Sequence, residues 1–96
     1  MVRFEWDENK NKSNIKKHKV SFQEAMSVFY DSKAYIASDP EHSDDEERFI
    51  IIGFSMRLNS LIVCFCEREI GRVIRIFSAR KLTKKEKLQM KKMRSL

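Results

Sequence analysis

The chain has 96 residues, a formal net charge of +6, 42% hydrophobic and 35% charged residues, two glycines and one proline. That size supports one core and not a second, and the composition excludes collagen-like and Pro/Gly-rich disordered chains. The longest apolar runs, Phe49 to Ile52 and Leu61 to Cys66, are too short to cross a bilayer, and Met1 to Asp7 has no apolar signal stretch. A single domain over residues 1–96, in the cytoplasm and away from membranes, is therefore expected.

The charge is unevenly spread. Arg80 to Leu96 carries +7, leaving −1 for the rest of the chain. Such asymmetry suits a polyanion, either nucleic acid or an acidic protein; a solvated Lys-rich helix face is the plainer explanation. Cys64 and Cys66 stand two apart in an apparent strand, on one side of it, in poor geometry for a disulfide. No Cys/His cluster surrounds them, so they are expected to be small buried hydrophobes, with no metal and no cofactor.

Val2 to Trp6 predicts a short strand. Asp7 then stands as the N-cap of a largely polar helix reaching about Lys17, with Ile15 its main apolar anchor. Ser21-Phe22-Gln23-Glu24 is a capping box for a second helix, Val20 and Ala25 take the staple positions, and Phe22, Ala25, Met26 and Phe29 form its apolar stripe. This helix should stop near Tyr30-Asp31-Ser32.

Tyr35 to Ala37 predicts a strand, and the acidic run Asp39 to Glu47, with the only proline and His42, predicts an exposed loop. Strands follow at Arg48 to Ser55, Leu61 to Cys66 and Arg72 to Ala79, with links short enough for antiparallel hairpins. A second capping box, Thr83-Lys84-Lys85-Glu86, opens a basic C-terminal helix over about residues 82–96, with Met90, Met93 and Leu96 as a thin apolar edge. The order βααββββα predicts an α+β fold: a small antiparallel sheet, two N-terminal helices packed on one face, and a C-terminal helix.

Several short stretches follow one another as in the BrnT toxin family. They are Phe4-Glu5-Trp6-Asp7; Asn14 with Lys17-His18 and Val20-Ser21-Phe22; Glu24-Ala25 with Val28-Phe29 and Asp31; His42-Ser43 with Glu46-Glu47-Arg48; Ile52-Gly53 with Ser55; Ile74-Arg75-Ile76 with Ser78-Ala79-Arg80; and Thr83 with Glu86. The chain resembles that family from residue 4 to about residue 87. It departs at Lys19, where the family has glycine, at Ser32, where proline is common, and at Leu58-Asn59, where a Gly-Arg pair is usual. The resemblance implies a RelE/ParE-like fold and metal-independent RNA cleavage. It also implies neutralisation by a cognate antitoxin, a DNA-binding and dimeric protein. Arg57 is the nearby cation able to replace the missing arginine.

RNA is cut without metal when its own 2′-hydroxyl attacks the adjacent phosphorus, which needs a base, cations around the phosphorane and an acid for the leaving oxygen. Arginine suits the cationic role through its two-pronged hydrogen bonding. The candidate catalytic residues are His18, Arg48, Arg75, Ser78 and Arg80, and the candidate RNA-binding cations are Arg57, Lys17, Lys81, Lys84 and Lys85.

Strict alternation along Arg72 to Arg80 puts Arg75 with Phe77 on one face and Arg80 with Ile74 and Ser78 on the other. The three arginines then share a face only if the strand bends or ends early. Each arginine alone is equally well explained by pairing with Glu5, Glu47 or Glu67. His18 is the leading acid–base candidate, since imidazole is the side chain that titrates near neutrality; a helix-end histidine facing the dipole is its plain alternative. His42 is expected to be solvated or loop-ordering, and Glu46 and Glu47 are either bases or simply exposed. Two binding-only alternatives stand beside the ribonuclease: a nucleic-acid-binding module without catalysis, and a subunit that docks an acidic protein.

Overall fold

The computed structural model describes residues 1–39, 41 and 46–94. His42 and Leu96, singled out above, lie outside the described residues. The elements are β1 (Arg3–Glu5), α1 (Glu8–His18), α2 (Phe22–Ser27) running into a 3-10 turn (Val28–Tyr30), β2 (Tyr35–Ser38), β3 (Arg48–Phe54), β4 (Ser60–Arg68), β5 (Val73–Lys81) and α3 (Lys84–Arg94). The five strands form one sheet in the order β1-β5-β4-β3-β2. From β2 to β5 every neighbour is antiparallel, but β1 runs parallel to β5, Arg3 opposite Val73 and Glu5 opposite Arg75. The sheet is thus mixed, not purely antiparallel. Hairpin spacing reveals pairing only between consecutive strands; β1 and β5 are separated by most of the chain, and no local signal marks their pairing.

One sheet face is covered by α2 and the 3-10 turn. Val20, Phe22, Ala25 and Val28 pack there against Ile51, Leu61, Val63, Phe65, Ile76 and Ala79, all nearly inaccessible. Phe29 meets Phe65 edge-on at 4.9 Å between centroids and Phe4 at 5.2 Å, tying the short parallel strand into the same core.

α1 is placed differently from the expectation. Asp7 does cap it, accepting from the backbone N–H of Asn9 at 2.8 Å and of Lys10 at 3.2 Å. But Ile15 is exposed, and the one buried residue of the helix is Asn14. The Asn14 amide donates to the carbonyls of Ala79 (2.8 Å) and Val20 (2.9 Å) and accepts from the Ala79 N–H (3.2 Å). β1 covers only the first part of β5, and Asn14 stands in for the missing strand beyond it. A polar side chain therefore anchors a polar helix to the sheet edge, satisfying backbone groups that would otherwise be orphaned.

The first capping box forms only half. Ser21 Oγ accepts from the Glu24 N–H at 3.0 Å, but the Glu24 carboxylate turns to the β3–β4 hairpin, accepting from Ser55 Oγ at 2.6 Å and Asn59 Nδ2 at 2.8 Å. At the second box both halves are made, between the Glu86 N–H and Thr83 Oγ1 and between the Thr83 N–H and Glu86 Oε1. α3 then buries Met90, and its Arg94 pairs with Asp31 and stacks on the Phe54 ring. Lys19 and Leu58 have φ of 60° and 63°, so two of the departures noted above place a side chain in the left-handed region that favours glycine.

Candidate active site

The sheet face opposite α2 is set by one irregularity. Cys64 pairs with Ser78 but Phe65 pairs with Ile76, so Phe77 is an extra residue and β5 carries a β-bulge. The bulge shifts the alternation by one. Arg75 lies opposite Cys66, Ser78 opposite Cys64 and Arg80 opposite Ile62, and these three β4 residues share one face. Arg48, also opposite Cys66 from the other side, belongs to the same face. The separation of Arg75 from Arg80 expected from strict alternation is therefore corrected: all three arginines and Ser78 point the same way.

A cleft of about 380 Å³ opens on this face. Arg48, Ser78 and Arg80 line it from the sheet, and Lys10 and His18 reach it from α1 at the β5 edge. They are eight residues apart, so little more than two helical turns brings both to the same side. Phe77 forms part of its wall, with the Arg48 guanidinium 4.0 Å and the Lys10 ammonium 5.6 Å from the ring centroid. Arg75 is on the same face but outside the cleft, 3.6 Å from Glu5.

Arg80 is held by a two-pronged pair with Glu86, at 2.8 and 3.0 Å. Those bonds to Arg80, then the Thr83 N–H, hold the Glu86 carboxyl down to about 2. The residue that caps α3 thus also fixes Arg80 at the cleft. Pairing of Arg75 with Glu5 was one of the expected alternatives; that of Arg80 with Glu86 was not among them.

Cys64 and Asp39 also line the cleft, the thiol 3.8 Å from the carboxylate. Burial, followed by the Asp39 charge, pushes the Cys64 thiol up to about 11, and burial with Glu46 raises Cys66. Both cysteines are free and stay protonated at neutral pH. Among the described residues no group of three or more His, Cys, Asp or Glu side chains is placed to hold a metal ion.

The other candidates scatter. Arg57 sits beside Lys19 and Met56 in a separate depression, so it does not supply a cation to the cleft. Lys81 lines a groove against α3. Lys17, Lys84 and Lys85 are exposed on α1 and α3. Glu46 is 3.1 Å from Arg68, which lowers its proton affinity, and Glu47 is exposed. Lys10, Asp39 and Phe77 were not singled out by sequence. The bulge that turns Phe77 to this face carries no glycine to announce it.

The sequence profile of the family described as "Ribonuclease toxin, BrnT, of type II toxin-antitoxin system" matches residues 6–86. The chain belongs to the BrnT family. Among solved structures, the 1.1 Å crystal structure of the Brucella abortus ribonuclease toxin BrnT aligns with a TM-score of 0.68 and 21% identity, covering 88% of this chain and 100% of that one. Among curated protein sequences none matches. The BrnT likeness agrees with the order of motifs read from the sequence, and it places the chain among toxins that have a cognate antitoxin. Among the described residues no helix is long and apolar enough to cross a membrane.

Proposed function

We propose that this protein is an endoribonuclease toxin with a RelE/ParE-like fold, and that its chemistry takes place in the cleft between β5 and α1. The observation that carries the proposal is the convergence of Arg48, Ser78 and Arg80 from the sheet with Lys10 and His18 from the helix. That set holds the parts for metal-independent cleavage of RNA. The 2′-hydroxyl of one nucleotide attacks its own 3′-phosphorus, the 5′-oxygen of the next nucleotide leaves, and the products are a 2′,3′-cyclic phosphate and a 5′-hydroxyl. Arg80 and Arg48 face the charge that builds on the phosphorane oxygens. Ser78 donates to a non-bridging oxygen, and His18 carries a proton to or from the reacting oxygens.

Arg75 binds the adjacent phosphate once RNA displaces Glu5. Lys17, Lys84 and Lys85 contribute long-range attraction along the strand. A cognate antitoxin, dimeric and DNA-binding, holds the toxin inactive in the cytoplasm.

The test is inducible expression in bacteria without the antitoxin, with growth followed beside total RNA on a gel. Growth arrest with RNA breakdown, insensitive to EDTA when the purified protein is assayed, is the expected outcome. His18→Ala and Arg80→Ala should each abolish both while remaining folded. If both variants stay fully toxic, the cleft is not the site. Intact RNA with soluble, folded wild-type protein would favour a binding-only role, to which the pairing of Arg75 and Arg80 with carboxylates is also suited.

A further inference from the structure

A second concavity, of about 470 Å³, lies between the β3–β4 hairpin and α3. Its floor is Phe54 and the buried Met90, and Leu58 stands at its edge, 80% exposed. Around the apolar floor stand Lys81, Lys87 and Lys91, while Arg94 lies over the Phe54 ring with its charge met by Asp31. The chemistry differs from that of the cleft: no histidine lines it, and an oily centre stands within a rim of lysines.

Leu58 supplies a second, independent observation. It is held at φ 63°, where a β-carbon crowds the backbone and glycine is the ordinary occupant. It also leaves most of a leucine side chain in water. Both features oppose folding, and within the described residues the exposed side chain gains little in return. A leucine kept there at the rim of an apolar groove is placed for contact with something outside the chain.

We infer that this groove is the docking site for an acidic amphipathic segment of the antitoxin, which inserts large apolar side chains beside Leu58 while its carboxylates meet the lysine rim. The inference rests on the reading of the partner as a protein antitoxin, and charge complementarity selects the segment. An apolar floor rewards apolar side chains, and a rim of lysines rewards flanking carboxylates. RNA would leave the floor unfilled, and a basic segment would meet like charge.

The experiment uses a synthetic helical peptide about 18 residues long, with leucines at i, i+3, i+4 and i+7 flanked by glutamates, and a twin with lysine for each glutamate. Methyl NMR of the full chain should show saturable shifts at Leu58 and Met90 with the acidic peptide, weakening as salt is raised, and none with the twin. Leu58→Gly should weaken binding about ten-fold or more, without lowering the melting temperature or RNA cleavage. Lys87→Glu should weaken it as well. The inference is overturned if the acidic peptide does not bind, if it binds Leu58→Gly as tightly as wild type, or if a non-cleavable RNA displaces it and moves the Leu58 and Met90 signals. None of these results touches RNA cleavage, so failure here and failure of the ribonuclease reading are separable.

Discussion

Arg80 is at once a candidate catalytic group and a structural tie, and the two roles are separable through Glu86. The Glu86 carboxyl is held down to about 2 by Arg80 and by the Thr83 N–H, against an ordinary 4.5. A carboxyl lowered on folding stabilises the fold fully above its unfolded value. That contribution is lost as pH falls from about 4.5 towards about 2. A drop of this size sets a ceiling of roughly 3 kcal/mol, but the two side chains are 40% and 31% exposed and water screens them. An exposed ion pair contributes ~0.2–1 kcal/mol, and a glutamine at position 86 still accepts from the Thr83 N–H, so a loss of roughly 0.5–1 kcal/mol is expected.

With a urea m-value of about 1 kcal/mol/M for a chain of this size, Glu86→Gln should lower the urea midpoint by about 0.5–1 M at pH 6. At pH 2.5 it should lower it much less. Comparing variant with wild type at both pH values removes the contribution of the other carboxylates. Arg80→Ala should show much of the same pH-dependent loss. The two variants must then part company in RNA cleavage: Arg80→Ala inactive, Glu86→Gln active, since it keeps the guanidinium at the cleft. If Arg80→Ala cleaves RNA as well as Glu86→Gln at a temperature where both are folded, Arg80 serves only to anchor α3 and its catalytic assignment fails.

Three further outcomes follow from the packing. A β-carbon on Gly53 would stand 2.8 Å from Asp31 Oδ2, 3.1 Å from Ala34 Cβ and 3.2 Å from Val28 Cγ1. Gly53→Ala should therefore cost about 1–3 kcal/mol, roughly 5–20 °C in melting temperature by circular dichroism; a change under 2 °C would show that the Asp31 loop yields freely. Asn14→Leu should cost about 2–4 kcal/mol by stranding the Ala79 amide and two carbonyls, and should speed hydrogen exchange at Ala79 before the rest of β5. Exchange lost uniformly along the strand would contradict a local edge role. Cys64, pushed up to about 11, should react with iodoacetamide at pH 8 about two orders of magnitude more slowly than a free thiol. Labelling as fast as glutathione would mean that the cleft opens readily.

Much of the fold was legible because local chemistry dictates it. Asp7 and Thr83 announce helix starts through the N–H groups they satisfy, and the apolar runs of β3 and β4 announce strands through their length and their turns. What escaped depends on contacts distant in sequence. Glu24 completes a capping-box pattern, yet a buried hydroxyl and a half-buried amide on the β3–β4 hairpin win its carboxylate, because leaving those groups unpaired would cost more than one helix N–H left to water. Ile15 looked like the anchor of α1 on hydrophobicity alone, whereas the free edge of β5 needs a donor and an acceptor. Asn14 offers both.

The candidate site escaped for the same kind of reason, and its geometry shows how a small sheet divides its labour. With Phe77 in regular alternation, Arg80 would point into the face that α2 covers, and Arg75 alone would face the cleft side. One additional residue in β5 reverses that phase after Ile76 while leaving Ala79 in the core against Val63. The same residue turns an aromatic ring outward beneath Arg48. Beyond the bulge, β1 has ended, and α1 occupies the vacated edge, bringing Lys10 and His18 round to the arginines. The interrupted strand pairing, the buried asparagine that compensates for it and the convergence of cations are thus one arrangement. Deleting Phe77, the one extra residue, should therefore leave Ser78 opposite Cys64 and Arg80 opposite Ile62 on the cleft face, so that cleavage persists, weakened only by loss of the ring beneath Arg48. Cleavage abolished in a folded deletion variant would show that the arrangement needs the bulge itself.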